Sequence, residues 1–325
     1  MIHRIKLTIL FTLILFSAAQ RAWAQDKWVD KSPHKSGVVT VNGIKLHYLD
    51  WGGQGKVLLF LAGLGNSAHI FDDIAPKFTD RFRVLALTRR GHGQSDKPAT
   101  GYDLPTLTED IRQFIDQLGI KRVTLIGHSF GGDEMTRFAV AYPDRVDKLI
   151  YLEAAYDRAD LSSEAFSKNP FPTPQPTKEE KASLAGYREW WIRNRGFWSD
   201  AVETDLRETS LASDGSIKAT LSREVVQAIV KNAAVYRPDY TQIKAPALSF
   251  YAINGLPLWT PQNEEARRKA QEFLDNVNAP YQRKNILKFR TEMRKGRIIE
   301  LKNSHHYLFI KSQDEVVREM RKFLL

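Results

Sequence analysis

The pentapeptide Gly127-His128-Ser129-Phe130-Gly131 fits a G-x-S-x-G pattern, between an apolar run at 123–126 and a helical stretch at 133–142. Glycines two positions either side of the serine permit a tight strand-to-helix turn. Such a turn lifts the hydroxyl clear of the sheet and sets backbone N–H groups at a helix start, where negative charge is favoured. A serine hydroxyl is a poor nucleophile until a base takes its proton. Beyond residue 24 the chain has seven histidines: His34, His47, His69, His92, His128, His305 and His306. His34 and His47 precede the main strands, His92 sits in a glycine-rich loop, and the bend should turn His128 away from Ser129. The pair His305-His306 follows an expected strand at 297–301 and precedes an expected last helix at 313–325, so it emerges at the edge where Ser129 stands. One of these two is the expected base. The 325 residues contain no cysteine, which excludes thiol nucleophiles, thiolate metal sites and disulfides.

These side chains need a scaffold to bring them together. Residues 38–48 read as two strands joined by an Asn42-Gly43 turn, an antiparallel hairpin at the sheet edge. Continuous apolar runs at 57–61, 82–87, 123–126, 149–152 and 247–251 read as strands buried on both faces, which is the pattern of a parallel sheet. Helical patterns lie between them, the clearest at 107–118, where Leu107, Ile111, Phe114, Ile115 and Leu118 share one face and Gly119 is the stop. Alternating strands and helices predict an α/β fold with an open, mostly parallel sheet. The alternation fails once, between 157 and 240. There a proline-rich connector, 169–176, leads into helical material with Trp190, Trp191 and Trp198, expected to form an inserted helical cap.

Composition narrows the function. Hydrophobic residues make up 42% of the chain, enough for a full core. Lys and Arg total 48 against 38 Asp and Glu, a net +10, but the charges are scattered along amphipathic segments and not gathered into a basic face with aromatic platforms. Nucleic-acid binding is not expected. Arg4 and Lys6 precede an apolar run over 7–19, and Ala22-Trp23-Ala24 offers small residues where a signal peptidase reads. Residues 1–24 are therefore expected to be a cleaved signal peptide, leaving a +7 chain with no stable membrane span, exported most simply to the periplasm. No phosphate loop, dinucleotide fingerprint or metal-ligand cluster is apparent, so no cofactor and no metal are expected.

The chain resembles the α/β-hydrolase superfamily along nearly all its length. Leu61-Ala62-Gly63-Leu64-Gly65 is similar to the family's H-G-x-G oxyanion loop, with Ala62 in place of histidine. Arg90-Gly91-His92-Gly93-Gln94-Ser95 is similar to its R-G-x-G-x-S loop, and the Ser129 block to its nucleophile elbow. In the closing block, His306-Tyr307-Leu308 matches a histidine followed by an aromatic and an aliphatic residue, which favours His306 over the alternative His305. The resemblance implies an eight-stranded α/β-hydrolase core over 25–156 and 241–325, with a cap over 157–240. It implies backbone donors at Leu64 and Phe130 for an oxyanion.

The acid departs from the commonest family pattern. Residues 252–257 read Ala-Ile-Asn-Gly-Leu-Pro, with no carboxylate where many relatives carry an aspartate. Branches similar to dehalogenases and some lipases place the acid after the preceding strand, and there Glu153 stands at the strand's carboxyl end, with Asp157 as the alternative. The expected activity is hydrolysis of a small-molecule carboxylic ester or related acyl bond through an acyl-enzyme. The alternatives are another serine-branch activity (aminopeptidase, lactonase, carbon–carbon hydrolase or acyltransferase) and an inactive binding protein on the same fold. The aromatic residues of the cap would either line an apolar pocket or form the cap's own core.

Overall fold

The computed structural model describes residues 28–159, 164–219, 221–253 and 255–325. The expected signal peptide lies outside them. Eight strands form one sheet: β1 (Lys35–Val41), β2 (Ile44–Gly52), β3 (Val57–Leu61), β4 (Arg83–Leu87), β5 (Val123–His128), β6 (Val146–Leu152), β7 (Ala247–Ile253) and β8 (Gly296–Lys302). Their spatial order is β1-β2-β4-β3-β5-β6-β7-β8. β1 and β2 are the antiparallel edge hairpin, turning through Asn42 and Gly43 at φ of 47° and 74°, and β3 to β8 run parallel. The α/β-hydrolase fold expected from the sequence is the fold observed.

Alternate residues of each strand feed two cores. Leu59, Leu61, Leu85, Leu87 and Leu125 pack on one face with Ile111 and Phe114 of α1 (Leu104–Gln117) and Met135 and Phe138 of α2 (Gly131–Ala141). Leu58, Phe60, Val84, Ala86 and Ile126 face the other way, onto Phe71, Phe78 and Phe309 and onto Val316 and Met320 of the C-terminal helix Gln313–Leu324. A two-residue period filled on both sides is what a sheet sandwiched between helices requires. Helix α1 begins three residues before the expected start. Asp103 caps the amide of Thr106, and Pro105 occupies the first turn, where its missing N–H costs nothing, so capping and not apolar periodicity sets the boundary.

Between β6 and β7 the chain leaves the sheet for α3 (Leu184–Arg195), α4 (Asp200–Thr209) and α5 (Arg223–Val235). Trp190 and Trp191 are buried against Leu308, Phe309 and Tyr307, and Trp191 meets Phe197, Trp198 and Tyr307 with ring centroids 6.0, 6.2 and 5.8 Å apart. These aromatics are packing residues. Helix α4 ties the inserted segment to the sheet through two buried carboxylates. Asp205 accepts from Asn66 Nδ2 at 2.7 Å, Ser67 N at 2.7 Å and Ser67 Oγ at 2.9 Å. Glu208 lies 2.9 Å from His69 Nε2, while His69 Nδ1 lies 2.8 Å from Asp72.

These contacts make the attachment of α4 sensitive to pH. Burial would lower the pKa of His69, but its hydrogen bonds to Asp72 and Glu208 raise it from 6.5 to about 10. Burial works against the Glu208 carboxylate, yet the His69 hydrogen bond and charge bring its pKa below the ordinary 4.5. A raised histidine contributes fully below its ordinary pKa and loses that contribution as pH climbs toward the folded value; a lowered carboxylate contributes above its ordinary pKa and loses it on acidification. The pair is thus strongest between 4.5 and 6.5. Asp205, raised to about 7 by burial, adds a desolvation cost as it ionises with rising pH. Stability to urea should fall from pH 6 to pH 9, and Glu208→Gln should cost about 3 kcal/mol at pH 6 and flatten that slope. A wild-type midpoint that rises across the same interval would refute the account.

Candidate active site

Ser129 stands where β5 passes into α2, with φ of 50°, a left-handed backbone that a residue with a side chain seldom adopts. The neighbouring glycines make that bend possible. A Cβ at Gly127 would lie 2.6 Å from the Gly131 carbonyl oxygen, and one at Gly131 would lie 2.3 Å from that of Leu61. Neither position has room for a side chain. Ser129 N donates to Leu152 O at 3.3 Å, which fastens the turn to the end of β6.

Glu153 is the residue directly after β6, and it too is left-handed, with φ of 53°. Its buried carboxylate is held at one oxygen: Oε1 accepts from Ala252 N at 2.6 Å and from the Tyr156 hydroxyl at 2.7 Å. Oε2 faces His306 Nδ1 at 3.4 Å. A carboxylate oxygen that accepts here requires the proton on Nδ1, which leaves the His306 Nε2 lone pair for the remaining face. Asp157 points elsewhere, with Oδ1 accepting from Ala159 N at 3.2 Å and lying 3.7 Å from Arg237. His305 also points elsewhere: its Nδ1 accepts from Tyr307 N at 3.1 Å, and burial with Arg195 nearby lowers its pKa to about 3. The structure therefore joins Glu153 to His306 and leaves Asp157 and His305 outside that pair. Among the described residues no hydrogen bond joins Ser129 Oγ to the His306 ring.

His128 does turn away from Ser129, and it takes on work that the sequence did not reveal. Its ring packs 4.7 Å from that of His306, and Nε2 lies 3.0 Å from the His306 carbonyl oxygen. A carbonyl only accepts, so Nε2 carries the proton. Burial, together with the charge of His306, lowers its pKa far enough to keep the ring neutral. β5 thus anchors the loop that carries His306.

The backbone amides of Leu64 and Phe130 donate to no backbone carbonyl among the described residues, and both residues border a cavity of about 260 Å³ with Ser129. The Ala62 side chain has no polar atom with which to support the first of these loops. Arg89 supplies the support instead: Nη2 donates to Ala62 O at 2.6 Å and Nη1 to Gly63 O at 3.3 Å, and the guanidinium lies 4.9 Å from the Phe130 ring centroid. Glu134 of α2 grips Arg89 through both carboxylate oxygens, at 2.5 and 2.7 Å. One buried ion pair therefore braces both loops that bear the candidate donors. The only signal in the sequence is a pair of arginines, Arg89-Arg90, at the end of an apolar strand, and acidic Asp133-Glu134 just after the serine turn.

A second cavity, about 430 Å³, adjoins His306 and Glu153 and is walled by Tyr156, Phe166, Gln271, Asn278 and Gln282 among others. Trp190, Trp191, Phe197, Trp198 and Tyr236 border neither cavity. The smaller one takes its apolar wall from Ile229, Val230, Ala233 and Ala234 of α5. Away from this cleft, His47, His69 and Glu208 bring donor atoms within 4.8 Å of one another, a set capable of holding a cation. Every one of those side chains has a protein hydrogen-bond partner. Their wide separation in sequence is why spacing gave no sign of them.

Residues 56–248, more than half the chain, match the model of the alpha/beta hydrolase fold family. The chain belongs to that family. Other members share only part of its length. A soluble epoxide hydrolase of Corynebacterium sp. (strain C12) is 35% identical over 113 residues, 35% of this chain and 39% of that one. A 2-(acetamidomethylene)succinate hydrolase of Mesorhizobium japonicum is 35% identical over 101 residues, 31% of this chain and 36% of that one. The chain spans about a third of the length of the curated relatives it matches. A crystal structure of E-2-(acetamidomethylene)succinate hydrolase superposes with a TM-score of 0.66 at 19% identity, covering 90% of this chain and 99% of that one, which speaks for the fold alone. Hydrolase function is the coarse reading that family membership supports.

Arg89 has 5% and Glu134 4% of its side chain exposed, so removing one charge strands the other. Glu134→Gln should lower the unfolding free energy by about 3–5 kcal/mol, measured by urea denaturation. A loss below 1 kcal/mol would mean that the pair braces nothing.

Proposed function

We propose that the protein is a serine hydrolase that cleaves a carboxylic ester or related acyl bond through an acyl-enzyme. The observation that carries this reading is the placement of two left-handed residues, Ser129 and Glu153, at the ends of adjacent parallel strands, with His306 on the Glu153 carboxylate. Ser129 Oγ attacks the substrate carbonyl while His306 Nε2 takes its proton. Glu153 holds the ring in the required tautomer and stabilises the imidazolium. The amides of Leu64 and Phe130 receive the charge that develops on the carbonyl oxygen, each such donor being worth on the order of 3 kcal/mol. Collapse of the tetrahedral intermediate expels the alcohol or amine, protonated by His306. Water then repeats the sequence and frees the acid.

The serine argues against epoxide or haloalkane opening by the family's ester-forming route, which needs a carboxylate nucleophile at this position. The chemistry itself asks for no cofactor. We place the protein outside the cytoplasm, from the charged, apolar and small-residue succession in its first 24 residues. Cleavage after Ala24 would leave Gln25 as the N-terminal residue of the secreted form, which sequencing would test.

Labelling with a fluorophosphonate should modify the wild-type protein at Ser129 and leave Ser129→Ala untouched. On chromogenic esters of increasing acyl length, Ser129→Ala should lower kcat by about 10⁴-fold or more, and Glu153→Gln by about 10³–10⁴-fold. Asp157→Asn should stay within about threefold of wild type. The reverse ranking of the two acid variants would move the role to Asp157, and an unlabelled wild-type serine would refute the hydrolase reading.

A further inference from the structure

Among the described residues, Arg158 is the one cation that borders both cavities of the cleft. It shares the smaller with Leu64, Ser129 and Phe130, and the larger with His306, Glu153 and Tyr156. Its side chain is 15% exposed, and Nε donates to Asp133 Oδ2 at 2.6 Å. Asp133 lies in the first turn of α2, almost directly behind Ser129 in sequence, so the guanidinium is fixed relative to the serine turn. Nη2 is sealed from solvent and has no hydrogen-bond partner, and Nη1 forms none either among the described residues.

Leaving Nη2 unpaired is costly, because a sealed N–H forfeits its water without replacement. Arg89 and Arg90, the other buried arginines of this region, each bind a carboxylate through two nitrogens. Arg158 has one bond to Asp133, and burial lifts that carboxyl to about 6 even against the arginine's charge. Nη1, which is not sealed, is the nitrogen left to form a charge-assisted bond to a carboxylate oxygen. Around it, α5 contributes Ile229, Val230, Ala233 and Ala234, which supply no competing anion in the smaller cavity.

We propose that Arg158 binds a carboxylate of the substrate, so that the acyl compound cleaved at Ser129 carries a free acid group within a few atoms of its scissile carbonyl, as in a half-ester or half-amide of a dicarboxylic acid. This rests on the serine-hydrolase reading and adds its substrate class. The bound acid completes the coordination of Arg158 and draws the neighbouring carbonyl toward Leu64, Ser129 and Phe130. The neutral ester of the same length gains the apolar contacts but leaves Nη1 without an anion.

The test compares mono-4-nitrophenyl adipate with 4-nitrophenyl methyl adipate. Wild-type kcat/KM should favour the free acid by about 10- to 100-fold, the size of one charge-assisted pair. Arg158→Met should bring that ratio to near one, and Arg158→Lys, which keeps the charge but carries its donor on a shorter side chain, should give an intermediate ratio, with thermal unfolding used to show that both variants fold. Glutarate binding to Ser129→Ala, followed by calorimetry, reads the same contact without turnover and should disappear in the Ser129→Ala/Arg158→Met double variant. A wild-type ratio at or below one, a ratio unchanged in Arg158→Met, or glutarate binding that survives in the double variant would overturn the proposal, whereas absence of fluorophosphonate labelling with glutarate binding intact would overturn only the hydrolase reading.

Discussion

The cleft depends on a backbone conformation that Ser129 would not adopt alone. Left-handed φ costs a side-chain-bearing residue on the order of 1–3 kcal/mol and persists only where the surroundings leave no alternative. Here the surroundings are close-packed backbone: the strand that ends at Leu61 lies against Gly131, and the helix start at Gly131 lies back against Gly127. With no Cβ at either glycine, three chain segments meet at distances that fix where the hydroxyl and the Phe130 amide point. Rigidity built from main chain is suited to aiming small groups, because it has no rotamers to lose.

Beneath that turn lies a layer of ion pairs that a hydrophobic account of the core would not anticipate. Arg89 with Glu134 and Arg158 with Asp133 both use the first turn of α2, and Arg90 with Asp110 joins the next loop to α1. Carboxylates in a first helical turn favour the positive end of the helix dipole. Here each also anchors an arginine whose other nitrogens reach a loop carbonyl or a cavity. Such pairs add little net stability compared with apolar replacements, and what they contribute is position. Arg89 offers the clearest case, since its fork satisfies the carbonyls of Ala62 and Gly63 and thereby orients the loop of Leu64.

The strand runs, the edge hairpin and the serine turn were legible because each rests on local rules: apolar periodicity, Asn-Gly turn chemistry, and glycine at fixed offsets. The juxtaposition of His306 with Glu153 followed from position and from the empty place after β7. The supports of the site were not legible. Arg89 reaches back 27 residues to the Ala62 carbonyl and His128 reaches ahead 178 to the His306 carbonyl, contacts with no periodic trace. The grip of α4 on Asn66, Ser67 and His69 spans still unrelated segments. Tryptophans in the inserted segment were ambiguous for a different reason: a large aromatic serves equally as wall or as core, and only the packing of Trp191 on Tyr307 decides between them.

The position of the Glu153 carboxylate follows from the geometry of neighbouring strand ends. β6 lies between β5, which ends at the serine, and β7, and the left-handed turn at Glu153 swings its side chain across the end of β7. There the strand offers the Ala252 amide, which donates to Glu153 at 2.6 Å. A shorter aspartate at 153 would have to choose between that anchor and His306, because it lacks the methylene that lets one oxygen stay fixed while the other faces the ring. The extra length of glutamate and the donor at Ala252 therefore belong together: the end of β7 supports one oxygen of the carboxylate while the other faces His306.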